Sequence, residues 1–544
     1  MAEQFQQVVR DYIAATNTYQ PVGASTRGFH EHDGDLGDRG EAAIRQRASD
    51  LRRLLDRLAA LDAVALADHE PYDADLLRRR IGWELTDIEK VRSWQRSPGG
   101  ALGTIGGGCN GLVIRDFAPL DDRLRSLISR LRAAPALLEQ ARGNMADPTR
   151  YHVETAIEAG TGMRALFGRD LPEAASKSAD ATLKQDFETA NRDALAAVDA
   201  YVQWMKDELL PRAGDDFAWG HDLIAALLSQ SDSIDEPIER LIARGDEDLR
   251  EHQDLLRELT VRIDPSGSPA EVVDAVAQDH PAPDELIPFV RGLLEELRTF
   301  SVDAKLCTMP TDVRIAVTET PGFSRMTTQA ACSSPGPFET KATDAYYYVT
   351  PADPSWPAER IESYMRFFNR WSIPGVTAHE AYPGHYVHLT YLNRAQSEIG
   401  RYLLTITTVE GWAHYIEQVM TEAGYGGGNP RFELMQLREA LLRLCRYRCA
   451  FGMHVEGWSP QRSIEFFMKE GFTSQVIAER ETRRGILGPN YYAYTMGKHQ
   501  ILRLRERLRE RRGASFDLRA FHDEFMQLPY PVATIERIML GAAQ

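Results

Sequence analysis

"TAHEAYPGHYVHL", residues 377 to 389, starts as a zinc-binding helix should and then departs from the pattern. In H-E-x-x-H on a helix, histidines at i and i+4 share a face and hold zinc, and the glutamate after the first stands beside the attacking water. His379 and Glu380 fit that scheme. The second histidine's place is taken by Pro383, which cannot ligate, and the next histidine is His385. On an unbroken helix His385 would lie about 240° round the axis from His379. Proline removes the i−4 hydrogen bond and glycine admits unusual backbone angles, so a two-residue bulge at Pro383-Gly384 would swing His385 back to the metal. If the helix instead runs straight, the site must draw on His388, Glu410 or His414.

The next segment supplies acids. "TTVEGWAHYIEQVM" (407 to 420) reads as a helix with Glu410, His414 and Glu417 on one face at i, i+4 and i+7. Glu410 is placed to act as a third ligand, leaving a fourth position open for water or substrate. His414, one turn on, is placed to orient Glu410 or a ligating histidine.

Outward from this stretch the chain reads as mostly helical. "EAAIRQRASDLRRLLDRLAALDAVAL" (41 to 66) sets Ile44, Leu51, Leu54, Leu55, Leu58 and Leu61 at three- and four-residue steps, and similar patterns recur through residues 1 to 300. "GTIGGGCNG" (103 to 111) lacks the G-K-[ST] ending of a phosphate loop and has no strand before it, so it reads as a flexible turn. "DVRIAVTET" (312 to 320) and "DAYYYVTP" (344 to 351) are the strand candidates, with "SSPGPFE" (333 to 339) as loop between them. Helical texture returns near Pro357. The expected organisation is a helical half, 1–300, and a catalytic half, 301–544, with a small sheet just before the histidine segment and both halves enclosing one cleft.

Composition narrows the function. A net charge of −17, from 63 basic and 80 acidic residues, disfavours nucleic acid as a partner. No run of about eighteen apolar residues is present, which predicts no membrane span. The N-terminus has no continuous apolar core, so no secretory signal is expected. Five scattered cysteines make no disulfide framework and point to a reducing, cytoplasmic compartment. Oligomeric state is left open.

H-E-x-x-P-G-H followed by E-G-W-A-x-Y resembles the bacterial family of unknown function called DUF885, which is similar to helical zinc metallopeptidases of the gluzincin kind. "GMHVEGWS" (452 to 459) and "ERETRRGILGPNYYAYTMGKHQILRLR" (479 to 505) echo its C-terminal signatures. The resemblance is strong over about 300–544 and weak before that. It implies a mainly α, metallopeptidase-like scaffold around a deep cleft, with His379, His385 and Glu410 as ligands of one zinc ion and Glu380 as general base. Two positions depart from the family pattern: His388 stands where glutamine is usual, and the segment before Tyr494 and Gly497 lacks the family's glutamine. Tyr494 is the candidate to steady the oxyanion, with His414 in support. Substrate contacts are expected from His388, His454, Arg480 and Lys498, the last two as anchors for a free carboxylate.

The resulting expectation is a zinc hydrolase that cleaves a small peptide or amide. Two histidines and a carboxylate also suit Fe2+, so a non-haem iron or other metal-dependent biosynthetic enzyme is the alternative, followed by a non-catalytic peptide-binding relative.

Overall fold

The computed structural model describes residues 2–541 except 62–65, 67, 323–324 and 326–327. The chain is mainly helical with a single three-stranded sheet among the described residues. The predicted periodicity is realised in the helix Glu41–Ala59, which buries Ile44, Ala48, Leu51, Leu54 and Leu58. Residues 62–65 of that predicted stretch lie outside the described residues.

"GTIGGGCNG" is a correction. It is no turn: Gly99–Ile114 is one helix, burying Ala101, Leu102, Ile105, Cys109 and Leu112. Glycine lowers helix propensity, but packing outweighs it here. A Cβ on Gly108 would stand 2.9 Å from Val22 Cγ2, and Arg130 donates to the Gly108 carbonyl at 2.6 Å. Gly108 lets its neighbours approach the helix closely, whereas Gly100, Gly103, Gly107 and Gly111 face open space.

Three apolar cores organise the molecule. One joins residues 5–81 to 286–539, a second lies within 36–213, and a third joins 217–276 to 434–496. Two of the three therefore cross residue 300.

The sheet sits against the site. Strands β1 (Ala316–Glu319) and β3 (Tyr346–Val349) match the two predicted segments and pair in parallel. A third strand, β2 (Ala330–Ser333), was not expected. It pairs antiparallel to β3, giving the order β1-β3-β2 and leaving β2 at an edge. "AACS" carries none of the bulky residues that mark strands, and β3 supplies what holds it. Tyr347 and Val349 enter the core, while Tyr346 and Tyr348 stack on the other face with centroids 6.0 Å apart. Tyr347 Oη lies 3.3 Å from Thr377 Oγ1, which ties the sheet to the helix carrying His379.

Buried histidines set the acid limit of the fold. Burial pushes His388 down to about 3, and His454 and His522 down to about 4, from 6.5. His454 Nε2–H donates to the Gly485 carbonyl at 2.7 Å, and His522 Nδ1–H donates to the Leu306 carbonyl at 2.6 Å. Their folded-state values lie below the unfolded one, so their stabilisation is full above pH 6.5 and is lost as pH falls toward 4. Three such groups give a slope of about 4 kcal/mol per pH unit across that window. Urea midpoints measured from pH 7.5 to 4.5 should fall steeply below 6.5; a flat profile would contradict the assignment.

Candidate metal centre

The histidine segment forms two helices, not one bulged helix. Ile373–Glu380 ends at Ala381, the chain turns through a cis Tyr382-Pro383 bond and Gly384, and a new helix runs His385–Leu392. The expectation of a bulge is corrected in form while its consequence holds: the rings of His379 and His385 face each other, centroids 4.6 Å apart at 86°. Gly384 makes the corner possible. A Cβ there would stand 2.0 Å from the His379 carbonyl oxygen and 2.2 Å from that of Ala378. Trp412 clamps the corner from outside, its Nε1–H donating to the Pro383 carbonyl at 3.0 Å.

Glu410 comes from the helix Ile406–Glu422. Its Oε2 lies 3.5 Å from His379 Nε2 and 3.4 Å from His385 Nε2. Ligand atoms of His379, His385 and Glu410 all lie within 4.8 Å of one another, the one such group of three found among the described residues. Glu410 Oε2 is buried without a hydrogen-bond partner, as is His385 Nδ1. Two imidazoles and a carboxylate converging in this way match the donor set of a zinc or iron site.

Glu417 was absent from the expected site residues, and it is the group that orients the centre. Its Oε1 accepts from His379 Nδ1–H at 2.6 Å, which turns Nε2 and its lone pair toward Glu410. Arg443 reaches the same carboxylate at 2.9 Å and His414 Nδ1 lies 3.5 Å from Oε2. The signal was visible in the sequence, since Glu417 shares a face with Glu410 two turns away. Burial raises the Glu417 carboxyl, but Arg443, His379 and His414 outweigh it and hold the group well below the usual carboxylate range. Burial also opposes charge on His379, yet the nearby Glu410 carboxylate and the hydrogen bond to Glu417 push it up to about 10. The pocket calls for one positive charge, as a proton on His379 or as a cation in its place.

Glu380 follows His379 and points to the sheet. Its Oε2 accepts from the backbone N–H of Cys332 on edge strand β2 at 2.7 Å. Tyr494 comes from the helix Ala493–Arg512, its ring 6.3 Å from that of His379 at 25°. Two glycines bring it there. A Cβ on Gly497 would lie 2.0 Å from the Thr407 carbonyl oxygen, and one on Gly411 would lie 2.5 Å from Gly497 Cα. His379 and His385 are only 5% and 8% exposed, whereas Glu380, Glu410 and Tyr494 are partly open, so solvent reaches the group from their side.

The remaining predicted residues fall elsewhere. His414 is buried with Nδ1 3.5 Å from Glu417, outside the converging group, where burial and the Lys498 cation keep it neutral. His388 is fully buried between Trp412 and Phe525, so it is not the alternative ligand. His454 packs on Phe217 and Trp219. Lys498 is 3% exposed, and burial lowers its ammonium below the usual lysine range. Arg480 is exposed and pairs with Glu481 at 3.4 Å. Expected as substrate contacts, these four stand outside the converging group. None bonds to, or ring-stacks with, His379, Glu380, His385, Glu410 or Tyr494 among the described residues, because each is held in a core or on a helix surface.

A family model described as "Bacterial protein of unknown function (DUF885)" matches residues 21–539. The chain belongs to the DUF885 family. Its fold is shared with two solved chains, each described as a "putative lipoprotein". The one from Shewanella oneidensis, "of unknown function", is 28% identical with a TM-score of 0.83, covering 98% of this chain and 99% of its own. The one from Colwellia psychrerythraea is 19% identical with a TM-score of 0.82, covering 98% of each chain. No curated protein matches. No helix among the described residues is long and apolar enough to cross a membrane.

Proposed function

We propose that this DUF885 protein is a zinc-dependent hydrolase that cleaves a peptide or amide bond in a small substrate. The observation that carries the reading is the convergence of His379, His385 and Glu410 beside a carboxylate, Glu380, fixed on a sheet edge. When bound, a zinc ion supplies Lewis acidity that acidifies the attacking water and polarises the scissile carbonyl. His379 Nε2, His385 Nε2 and Glu410 Oε2 would hold it. Glu417 keeps His379 in the ligating tautomer. Glu380 takes the proton of the attacking water and delivers it to the leaving amine. Tyr494 accepts a hydrogen bond from Arg484 at 3.1 Å, which leaves its own O–H free to donate to the developing oxyanion. A carboxylate base next to a ligand favours hydrolysis over iron oxygenase chemistry, which has no use for it.

Metal analysis of protein purified without added metal tests the reading. We expect one zinc per chain in wild type, near zero in His385→Ala, and a 10- to 100-fold weaker affinity in Glu417→Gln, as about that factor follows from removing the partner of a ligating histidine. One iron per chain would favour the non-haem alternative. A wild type that stays metal-free after zinc loading, while still binding peptide, would favour the non-catalytic one. For the compartment, five free cysteines support a cytoplasmic setting, and the relatives described as lipoproteins support an anchored one. Cell fractionation decides between them.

A further inference from the structure

The chain carries a net charge of −17, yet one wall of the centre is cationic. Guanidinium carbons of Arg443, Arg446 and Arg484 lie 5.7, 5.4 and 5.7 Å from the centroid of the Tyr494 ring. Two of the three charges are spoken for. Arg443 pairs with Glu417 at 2.9 Å and Glu439 at 3.6 Å, and Arg446 holds Glu481 through two bonds of 2.8 and 3.1 Å. Arg484 is different. It is exposed, it forms no ion pair among the described residues, and its one hydrogen bond goes from NH2 to Tyr494 Oη at 3.1 Å.

Resting on the hydrolase reading, we infer that Arg484 is the substrate anchor: the site takes short peptides or amides that carry a carboxylate near the scissile bond. The geometry carries this. The Tyr494 ring lies 6.3 Å from that of His379 and 5.7 Å from the Arg484 guanidinium, so a group held at Arg484 is one tyrosine ring from the reacting centre. NH2 spends one of its two hydrogens on the phenol; the other, with Nε–H or NH1 beside it, leaves one edge of the guanidinium to donate in parallel, and a carboxylate supplies the matching pair of acceptors. The neighbouring Arg446 stays neutralised by Glu481, so it does not compete for the ligand. Arg480 points to solvent and Lys498 lies behind Glu417, which is why neither of those predicted anchors serves. The carboxylate has two sources, the C-terminus of a peptide or an acidic side chain. Both present the same fork to Arg484.

Calorimetric titration of zinc-loaded Glu380→Gln protein tests the anchor by binding alone. Three probes suffice: N-acetyl-Ala-Phe, its C-terminal amide, and N-acetyl-Ala-Asp-amide. We expect the free acid to bind at least tenfold more tightly than its amide, and the ratio to fall to about one in an additional Arg484→Ala substitution. Arg484→Lys, which keeps the charge and loses the fork, should restore part of the ratio. Tight binding of the aspartyl amide assigns the anchor to side-chain carboxylates, and weak binding assigns it to the terminus. Equal affinity for acid and amide, no binding of any probe, or a preference untouched by Arg484→Ala overturns the proposal. Because Arg484 is exposed, its loss should leave the melting temperature unchanged. Hydrolysis of the free acid by wild type is assayed separately. A preference that persists without turnover sinks the hydrolase reading and leaves the anchor standing.

Discussion

Glu380→Gln is expected to lower kcat for peptide hydrolysis by about 10³-fold while leaving one metal ion bound per chain. The size follows from losing general acid–base assistance, which contributes on the order of 10²–10⁴. Metal content should hold because Glu380 is not one of the three converging ligands. The placement of the side chain should hold as well. Glutamine keeps an oxygen able to accept from the Cys332 N–H, so the tie to β2 survives and only the basicity goes. KM should therefore change little. Full activity in this variant, with metal bound, would remove Glu380 from the mechanism. Glu380→Ala gives the contrasting case, since it loses the tie to the strand along with the base.

The second large effect is expected at Gly384. An alanine Cβ would meet two backbone carbonyl oxygens, at 2.0 and 2.2 Å, and backbone has no rotamer through which to escape. The corner must open, moving His385 away from His379. We expect Gly384→Ala to lose stoichiometric metal and about 3 kcal/mol of stability, at the upper end for overpacking. Contact with backbone, not a positive φ, sets the cost, since Gly384 has φ −78°. Gly375 provides the control. It lies in the helix before the corner, with nothing within 4 Å of a Cβ, so Gly375→Ala should bind metal normally and melt no lower than wild type. A Gly384→Ala protein with full metal and an unchanged urea midpoint would refute the corner's role.

What could be read from the sequence was set by how local its cause is. Helices with apolar residues at three- and four-residue steps were legible because that spacing alone makes a buried stripe, as in Glu41–Ala59. Strands β1 and β3 were legible from their β-branched and aromatic residues. Strand β2 was not, since "AACS" becomes a strand only through its pairing with β3. The helix Gly99–Ile114 was hidden for the same reason, its glycines signalling a loop until the elements packed against them are known. At the centre, His379, Glu380, His385 and Glu410 stood out because each belongs to a short motif. Glu417 sits outside those motifs, and its importance comes from a bond to a histidine on another helix. The cationic residues show the limit most sharply. Arg480, Arg484 and Lys498 look alike in sequence, and only burial and pairing single out the one that remains uncommitted.

The contact between Gly411 and Gly497 has a consequence for how the site can change over generations. Each glycine occupies the space the other's side chain would need, so the helix bearing Glu410 and the helix bearing Tyr494 are held at the distance of bare backbone. A larger residue at either position pushes both helices apart, and a compensating change at the other cannot give back space already emptied to hydrogen. A side chain at either position is therefore expected to displace both helices, whatever stands at the other. Glu410 and Tyr494, though distant in the chain, thus stand on helices whose spacing is fixed by two hydrogens.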